Sequence, residues 1–201
     1  MKTDADKSGK KKEKLTLSQD VLNRVRTRDP DALGQLFDAY FPVVYGTAFR
    51  LLGNRDQAQD ASQDVFCKVH RAADQLDTSR DPAPWLVGIT YNVCRDYWRS
   101  RAHRLATQSA SLDEHPALGA TLKVDGPDPE TQASLNQREI LVQEAIMSLP
   151  EDMRTVVVLH DYQGMTHEEI SHVVGASHAA VRKRYSRALS QLAKALKDQL
   201  V

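Results

Sequence analysis

Positively charged side chains cluster near the C-terminus, in a segment whose apolar spacing is typical of a helix. The cluster comprises His178, Arg182, Lys183, Arg184 and Arg187, and no acidic residue follows it until Asp198. Arginine can bind both acceptors on the major-groove edge of guanine, while lysine and further arginines hold phosphates. The segment therefore has the side chains to read duplex DNA, although a solvated basic face on an ordinary amphipathic helix offers the same residues.

The residues before this cluster predict the first helix and the turn of a helix-turn-helix. Thr166 and Glu169 have the spacing of a capping box, which satisfies the first amides of a helix. Ser171 and Gly175 stand four apart, which suits a close helix approach followed by a left-handed turn. Ser177 is a favourable N-cap for the second helix. This pattern favours a DNA-reading helix over a solvated one.

A second segment, in the N-terminal half, interleaves aromatic and basic side chains from Trp85 to Arg99. Bases stack on aromatic rings while arginine follows the phosphates, which is the chemistry of single-stranded nucleic-acid binding. A hydrophobic core helix with a charged rim explains the segment equally well on its own. Trp85 in particular is typical of a core residue.

The formal net charge is zero, which on its face argues against a DNA-binding protein. The charges are nevertheless separated along the chain. Acid collects around Asp56, Asp60 and Asp64, and base collects around Arg95 to Arg104 and again from Arg182 to Lys197. A chain with separate acidic and basic faces can bind a basic protein with one and nucleic acid with the other.

No pattern typical of catalysis or metal binding accompanies these charges. Cys67 and Cys94 lie outside any zinc-type spacing and are predicted to be free thiols. The chain has neither a phosphate loop nor a serine elbow. The histidines near the C-terminus lack the pattern of a zinc helix and are predicted to be solvated or capping: His160, His167, His172 and His178. We therefore expect no enzyme activity, no cofactor and no metal.

The sequence also carries no signal for a membrane. No apolar run approaches the ~20 residues of a spanning helix, and the Lys-rich stretch from Met1 to Lys14 lacks the apolar segment of a secretory signal. We expect a cytoplasmic protein without membrane insertion.

Apolar spacing and turn residues predict an all-α fold of two small helical domains joined by a flexible linker. Helices are expected at about 18–27, 30–52, 55–75, 82–104, 130–148, 151–162, 167–174 and 177–200. Residues 105–131 lose the helical pattern and gain glycine and proline, and so long a stretch is improbable inside one compact domain. The predicted organisation is a disordered basic tail (1–14), a helical domain (15–104), the linker (105–131) and a helix-turn-helix domain (132–201).

Apolar residues follow the helix period in two of these segments. In the helix at 30–52 they repeat every three or four residues, which indicates an amphipathic helix: Leu33, Leu36, Phe37, Tyr40, Val44, Ala48, Leu51 and Leu52. In the helix at 82–104 the residues predicted to be buried are Trp85, Leu86, Ile89, Val93 and Tyr97.

The motifs, taken in order, resemble those of the extracytoplasmic-function group of bacterial sigma factors in the sigma-70 family. Family region 2 is similar to LFDAYFP at 36–42, RLLGN at 50–54, QDASQDVF at 59–66 and the segment from PWL at 84–86 to residue 101. Region 4 is similar to SLPE at 148–151, GMT at 164–166, EEI at 168–170 and VRKR at 181–184. Each motif is moderately specific, and their joint order over most of the chain is the strong signal.

The resemblance implies a factor that binds RNA polymerase core and directs promoter-specific transcription initiation. Contact with the clamp helices of the largest subunit would fall to Asp60, Gln63, Asp64 and Phe66. Reading and melting of the −10 element would fall to the loop from Asp77 to Arg80 and to Asn92, Arg95, Asp96, Arg99 and Arg101. The −35 element would be read by His178, Arg182, Lys183, Arg184 and Arg187, in a domain that also binds the polymerase flap. An anti-sigma factor is a further candidate partner.

The sequence departs from the family pattern at His70, where tryptophan is frequent, and at Gly46, where a basic residue is frequent. His178-Ala179-Ala180 is an unusual start for the recognition helix and leaves the −35 sequence open.

Three other classes of protein fit the sequence less well. A response regulator needs a receiver domain with strands, a helical interaction protein needs no basic recognition helix, and a nucleic-acid enzyme needs clustered carboxylates at a metal.

Overall fold

A computed structural model describes residues 17–107 and 129–199. Within these ranges the chain forms eight α-helices and no strand, which confirms the all-helical prediction. The predicted tail and most of the predicted linker lie outside the described residues. The helices are α1 Gln19–Arg26, α2 Pro30–Leu52, α3 Arg55–Arg71, α4 Ala83–Thr107, α5 Pro129–Met147, α6 Glu151–Val157, α7 His167–Val174 and α8 His178–Gln199.

Each of the first three helices begins at a polar N-cap. Ser18 accepts a hydrogen bond from the Val21 amide at 3.3 Å. Asp29 accepts one from Ala32 at 2.9 Å, and Asn54 accepts one from Gln57 at the same distance. Such caps satisfy amides that the first turn of a helix leaves without a partner, at about 1 kcal/mol each. The local sequence therefore sets where α1, α2 and α3 begin.

The N-terminal helices α1 to α4 enclose an apolar core. Leu36, Val44 and Leu51 of α2 are fully buried, as the spacing predicts, and Leu86 of α4 is too. Phe37 shares the apolar period of α2 but is 41% exposed. The prediction of buried residues is wrong in part for α4, where Trp85, Ile89 and Tyr97 are half-buried at the edge of the core.

The helix-turn-helix prediction is confirmed in its local geometry. The Thr166 amide donates to Glu169 Oε2 at 2.7 Å, and the Glu169 amide donates to Thr166 Oγ1 at 3.2 Å, which completes the capping box. Gly175 ends α7 with a φ of +66°, a left-handed conformation that glycine adopts without strain. Ser177 then accepts from the Ala180 amide at 3.2 Å and begins α8.

The segment predicted as one helix at 151–162 has a break in its winding. It is α-helical to Val157 and continues as a π-helical turn over Val158–Tyr162. A π turn holds one more residue than an α turn, so side chains beyond it are rotated about the axis. Periodicity alone does not reveal such an insertion. None of the described helices combines the length and apolarity needed to cross a membrane.

The two halves of the chain pack against each other, which the sequence did not indicate. Ile146 of α5 and Val158 of the π turn join the core of the N-terminal helices. In return Val87 of α4, 1% exposed, lies in the apolar cluster of α6 and the helix-turn-helix. The two predicted domains therefore share a continuous buried interface.

Arg154 of α6 lies at the centre of this interface and is 8% exposed. Its Nη1 donates to the Leu51 carbonyl at 2.7 Å, near the end of α2. Its Nη2 donates to the carbonyls of Met147 and Leu149 at 3.0 Å each. The last carbonyls of a helix have no partner inside the helix, so one guanidinium satisfies the ends of α2 and α5 together. Burial lowers the pKa of Arg154.

Gly53 and Gly34 give a matched test of the left-handed turn that ends α2. Gly53 has a φ of +71°, which residues with a side chain rarely adopt, and a Cβ there would also displace the flexible end of the Met147 side chain of α5. Gly53→Ala should therefore lower the free energy of unfolding by about 1–3 kcal/mol. Gly34 has nothing within 4 Å of a Cβ, so Gly34→Ala should raise it by about 0.5–1 kcal/mol through helix propensity. Urea unfolding measures both, and a Gly53→Ala protein as stable as the parent would contradict the strained turn at this position.

Candidate nucleic-acid interface

The outward face of α8 carries three of the predicted DNA-reading cations. Arg182, Lys183 and Arg187 are exposed, as is His178 at the first position of the helix. The buried positions of α8, Val181 and Ala188, lie on the opposite side. The partial positive charge at a helix N-terminus adds to these cations. The arrangement can accept phosphates and base edges along one face.

Arg184 lies on a different side of α8. Its Nε pairs with Asp152 Oδ2 of α6 at 3.0 Å. On the neighbouring turn Tyr185 donates to Asp161 Oδ1 at 2.7 Å. Burial first, and then this hydrogen bond, raises the pKa of Tyr185 to about 12. These two contacts tie the recognition helix to the preceding helices and leave Arg184 engaged within the protein.

Three histidines pack together beside the start of α8. The His160 ring stacks on His167 with centroids 4.6 Å apart, and His178 lies 6.2 Å from His167. His160 Nδ1 donates to the Met165 carbonyl at 2.7 Å. Burial, and then the nearby His160 and His178, lower the pKa of His167. His167 is half-buried rather than solvated.

In the described part of the chain, no group of three histidine, cysteine or carboxylate side chains is placed to hold a metal ion. The sequence gives no signal for the stacking, because His160, His167 and His178 are brought together by the turns between the helices.

Four of the predicted −10 residues share one face of α4. Asn92, Arg95, Asp96 and Arg99 are spaced at i, i+3, i+4 and i+7, and such positions lie above one another on a helix. Asn92 and Arg95 are half-buried, whereas Asp96 and Arg99 are exposed. Arg101 is exposed too, but nine residues after Asn92 it lies on the opposite side of the helix.

Two of these side chains have partners within the protein. The Arg95 guanidinium lies 5.7 Å from the centroid of the Tyr91 ring, and its Nε is buried without a hydrogen-bond partner. Asp96 accepts from Lys68 Nζ of α3 at 3.4 Å. The face therefore combines a ring and cations with a carboxylate that is already paired.

The loop before α4 is built on local hydrogen bonds. Asp77 Oδ1 accepts from the amide and the hydroxyl of Ser79 at 3.0 and 2.6 Å, and these bonds lower the pKa of Asp77. Arg80 Nε pairs with Asp77 Oδ2 at 3.4 Å. Asp81 Oδ1 accepts from Tyr40 Oη of α2 at 3.2 Å and from the Ala83 amide at 2.9 Å. The loop is thus anchored to α2 and to the start of α4.

Three of the four predicted polymerase-binding residues occupy the outer side of α3, where Asp60, Gln63 and Asp64 are exposed. Tyr97 of α4 donates to Asp64 Oδ2 at 3.3 Å. Burial first, and then Asp64, raise the pKa of Tyr97 to about 12. The fourth, Phe66, is half-buried at the border of this side, with its ring centroid 4.7 Å from that of Phe37.

A row of aromatic rings along α2 continues this surface, and sequence reasoning missed it. Phe37, Phe41, Tyr45 and Phe49 have successive centroid distances of 5.1, 5.8 and 6.3 Å. Their spacing of four residues was the available signal, because it stacks side chains on one helix face. A cleft of about 280 Å³ lies where the row meets α3, and it is lined by Leu33, Gly34, Leu36, Phe37, Phe66, Val69 and His70.

Comparison with known proteins agrees with this arrangement. The family model described as Sigma-70 region 2 matches residues 36–104, and the one described as Sigma-70, region 4 matches residues 139–192. The first covers α2 to α4 and the second covers most of the helices from α5 to α8. Both match in the order that the sequence motifs predict.

Relatives match over most of their length. RNA polymerase sigma factor CarQ of Myxococcus xanthus is 32% identical, over 85% of this chain and 92% of its own. RNA polymerase sigma-H factor of Pseudomonas aeruginosa is 28% identical, over 92% and 98%. ECF RNA polymerase sigma factor SigW of Bacillus subtilis is 27% identical, over 88% and 95%.

Solved structures share the fold. CnrH, in complex with the cytosolic domain of CnrY, superposes with a TM-score of 0.61 at 24% identity, over 90% of this chain and 97% of that one. The sigma factor RpoE of Bartonella quintana, in complex with the anti-sigma factor NepR, also scores 0.61, at 22% identity over 82% and 96%. The chain therefore belongs to the extracytoplasmic-function group of the sigma-70 family, and it directs transcription initiation at promoters through RNA polymerase.

Proposed function

We propose that α8 reads the −35 element, that α4 and the loop before it read and melt the −10 element, and that the outer side of α3 docks on the clamp helices of the polymerase largest subunit. In this proposal residues 15–104 form the region 2 domain and residues 132–201 form the region 4 domain, which also binds the flap. The observation that carries the proposal is the capped helix-turn-helix with a free cationic face, in the same chain as an exposed acidic helix.

For the −35 element, Arg182, Lys183, Arg187 and His178 are the proposed DNA contacts. Their common exposed face supports this role, since a recognition helix enters the major groove by its N-terminal half. Arg184 was predicted to join them, but its ion pair with Asp152 supports a different task. We propose that Arg184 holds α8 at a fixed angle to α6.

For the −10 element, the proposed contacts are Asn92, Arg95, Asp96 and Arg99 on one face of α4, with Asp77 and Arg80 in the loop. Opening duplex DNA costs about 1.4 kcal/mol per stacking step. Capture of an unstacked base on a ring or guanidinium contributes about 1–3 kcal/mol, so a few captured bases offset the opening. The anchored loop supports this role because a fixed turn does not have to be ordered when the base binds. Arg101 points away from this face and is proposed to contact phosphate at most.

For polymerase binding, Asp60, Gln63 and Asp64 supply exposed polar contacts and Phe66 supplies an apolar one. Interfaces gain most of their affinity from a few aromatic or charged anchors in desolvated pockets. The cleft between Phe66 and Phe37 gives such an anchor beside the acidic face. We propose that an anti-sigma factor regulates the protein by covering the same surface.

The decisive experiment adds the purified chain to bacterial core polymerase and measures transcription from the promoter upstream of its own gene. We expect a specific transcript that depends on the chain. Folded protein that neither binds core nor yields this transcript would overturn the proposal.

Removing two charges from α3 tests the docking surface. The double variant Asp60→Asn, Asp64→Asn should bind core polymerase about tenfold more weakly, a loss of about 1.4 kcal/mol. Fluorescence anisotropy of labelled protein with core measures the affinity. Asp20→Asn, an exposed acid in the first turn of α1, serves as the matched control and should bind like the parent. Equal affinities of the double variant and this control would remove the acidic residues of α3 from the interface.

Truncation of one cation tests the recognition helix. Arg182→Ala should weaken promoter binding by the assembled polymerase about tenfold, since one bidentate base contact contributes about 1–3 kcal/mol. Core binding should stay largely unchanged, because Arg182 is an exposed side chain on the proposed DNA-reading face of α8 and is not one of the proposed polymerase contacts on α3. Lys197→Ala, near the other end of the exposed side of α8, is the control. Loss of core affinity in Arg182→Ala, or no loss of promoter affinity, would contradict the assignment.

A further inference from the structure

We propose that binding of the −35 element is coupled to proton uptake at a cluster of rings beside the recognition helix, so that acidification strengthens promoter binding. The cluster comprises His160, His167, His178 and Tyr185, and His167 is the ring that takes up the proton. The inference rests on the proposed function, because it takes the exposed face of α8 as the −35 reader. It adds to the reader a group that contacts no base.

His167 of α7 lies against one stripe of α8. His178, Arg182 and Tyr185 are spaced at i, i+4 and i+7, and such positions lie above one another on a helix. The His167 ring contacts both ends of this stripe, with centroid distances of 6.2 Å to His178 and 5.1 Å to Tyr185. Arg182 lies between these ends along the helix. A charge on His167 therefore acts on the part of α8 that carries two proposed DNA contacts.

The π turn holds His167 from the other side. His160 stacks on His167 with centroids 4.6 Å apart. The hydrogen bond from His160 Nδ1 to the Met165 carbonyl fixes the orientation of the His160 ring. The same ring meets Tyr185 edge-on, with centroids 4.7 Å apart. The four rings thus form one packed cluster that links the π turn, the start of α7 and α8.

Groups that disfavour a charge on His167 face it from two elements. They are His160 of the π turn and His178 and Arg182 of α8. Burial first, and then these three groups, lower the pKa of His167 below its ordinary value of 6.5. The ring therefore resists protonation in the free chain.

The carboxylates near His167 do not cancel this effect. Asp161 of the π turn favours the charged ring, but Asp161 already accepts from Tyr185 Oη at 2.7 Å. On α7 itself Glu168 is exposed and Glu169 is held in the capping box. His167 Nε2 is buried and has no hydrogen-bond partner among the described residues. Since a charged histidine carries hydrogen on both nitrogens, charging this ring leaves an N–H without an acceptor.

Promoter DNA changes the balance. Duplex DNA carries about one negative charge per 1.7 Å of its axis, and the proposed contacts His178 and Arg182 bring phosphates to the stripe on which His167 packs. A nearby anion favours the charged form of a base, so the pKa of His167 rises when the −35 element binds. The complex then holds more protons than the free chain and the free DNA. The state that binds more protons is favoured as the pH falls, so promoter affinity rises below about pH 7.

Two substitutions at His167 test this inference in the assembled polymerase. His167→Phe keeps a ring in the cluster and His167→Gln keeps a polar side chain, but neither can take up a proton. Fluorescence anisotropy of labelled promoter DNA gives the affinity at about pH 8 and at about pH 6. The affinity of the parent divided by that of either variant should rise about three- to tenfold between them, because a pKa that rises by about one changes the affinity by up to about tenfold. The division cancels the pH response of core polymerase and of the DNA.

His172→Gln is the matched control, since His172 is an exposed histidine on the same helix and outside the cluster. It should gain affinity on acidification as the parent does. A ratio that is the same at both pH values would show that His167 only positions α8, and would overturn the inference, as would an equal change for His172→Gln. A parent holoenzyme that binds the promoter no better than core alone at about pH 8 would instead overturn the proposed function.

The free chain gives a second measurement that needs no polymerase. Histidine ring signals in the NMR spectrum of the full-length chain report each pKa, and the signal of His167 is the one lost in both of its variants. His167 should titrate below 6.5, because burial and the groups around it disfavour its charge. A value at or above 6.5 would also overturn the inference, since the cluster would then not resist protonation before DNA binds.

Discussion

The structure depends on one buried guanidinium. A charge taken from water into a protein interior is tolerated only with hydrogen-bonding partners, and Arg154 finds three in the carbonyls of Leu51, Met147 and Leu149. The same bonds satisfy backbone groups at two helix ends that would otherwise be buried without partners. Neither group of helices provides this arrangement by itself. The relative position of the two halves is therefore fixed by a polar requirement as much as by the apolar side chains around it.

Separation of charge explains how a chain with no net charge can bind both a protein and DNA. The acidic side of α3 and the basic side of α8 belong to different helix groups, so each presents its own sign of potential to solvent. Opposite charges also meet within one helix group, as in the 3.0 Å pair of Arg184 with Asp152. Charged side chains thus make contacts inside the protein in addition to the proposed contacts with polymerase and DNA.

Local chemistry made most of the fold predictable. Caps such as Ser18, Asp29 and Thr166, together with glycine at helix ends, encode where helices begin and stop, and the capping box identified the helix-turn-helix. Whether a side chain is buried could be predicted only where its position in the helix period determines which way it faces. Phe37 fits the apolar period of α2 but is exposed, because its ring packs on Phe41 and Phe66 at the surface.

Several features that sequence reasoning missed are long-range. In the sequence Arg154 is an ordinary helical arginine. The Leu51 carbonyl lies within hydrogen-bond distance of it only because α2 packs against α6. Likewise nothing in the spacing of His160 and His167 predicts stacked rings. For the candidate site, the residue types and their helices followed from the sequence and the family resemblance. Which of them are engaged inside the protein, such as Arg184 and Asp96, required the positions of neighbouring helices.

The π turn at Val158–Tyr162 has a consequence for how such chains tolerate insertions and deletions. One residue more or less in an α-helix turns everything after it by about 100°. The wide turn absorbs an extra residue while Leu159 stays in the core and Tyr162 faces Arg50. Loss of a single residue here would restore regular α winding while the residues on either side keep their places, because the wide turn is what accommodates the additional residue. This segment is therefore the place where the chain can change in length by one residue with the least disturbance to the packing of its two halves.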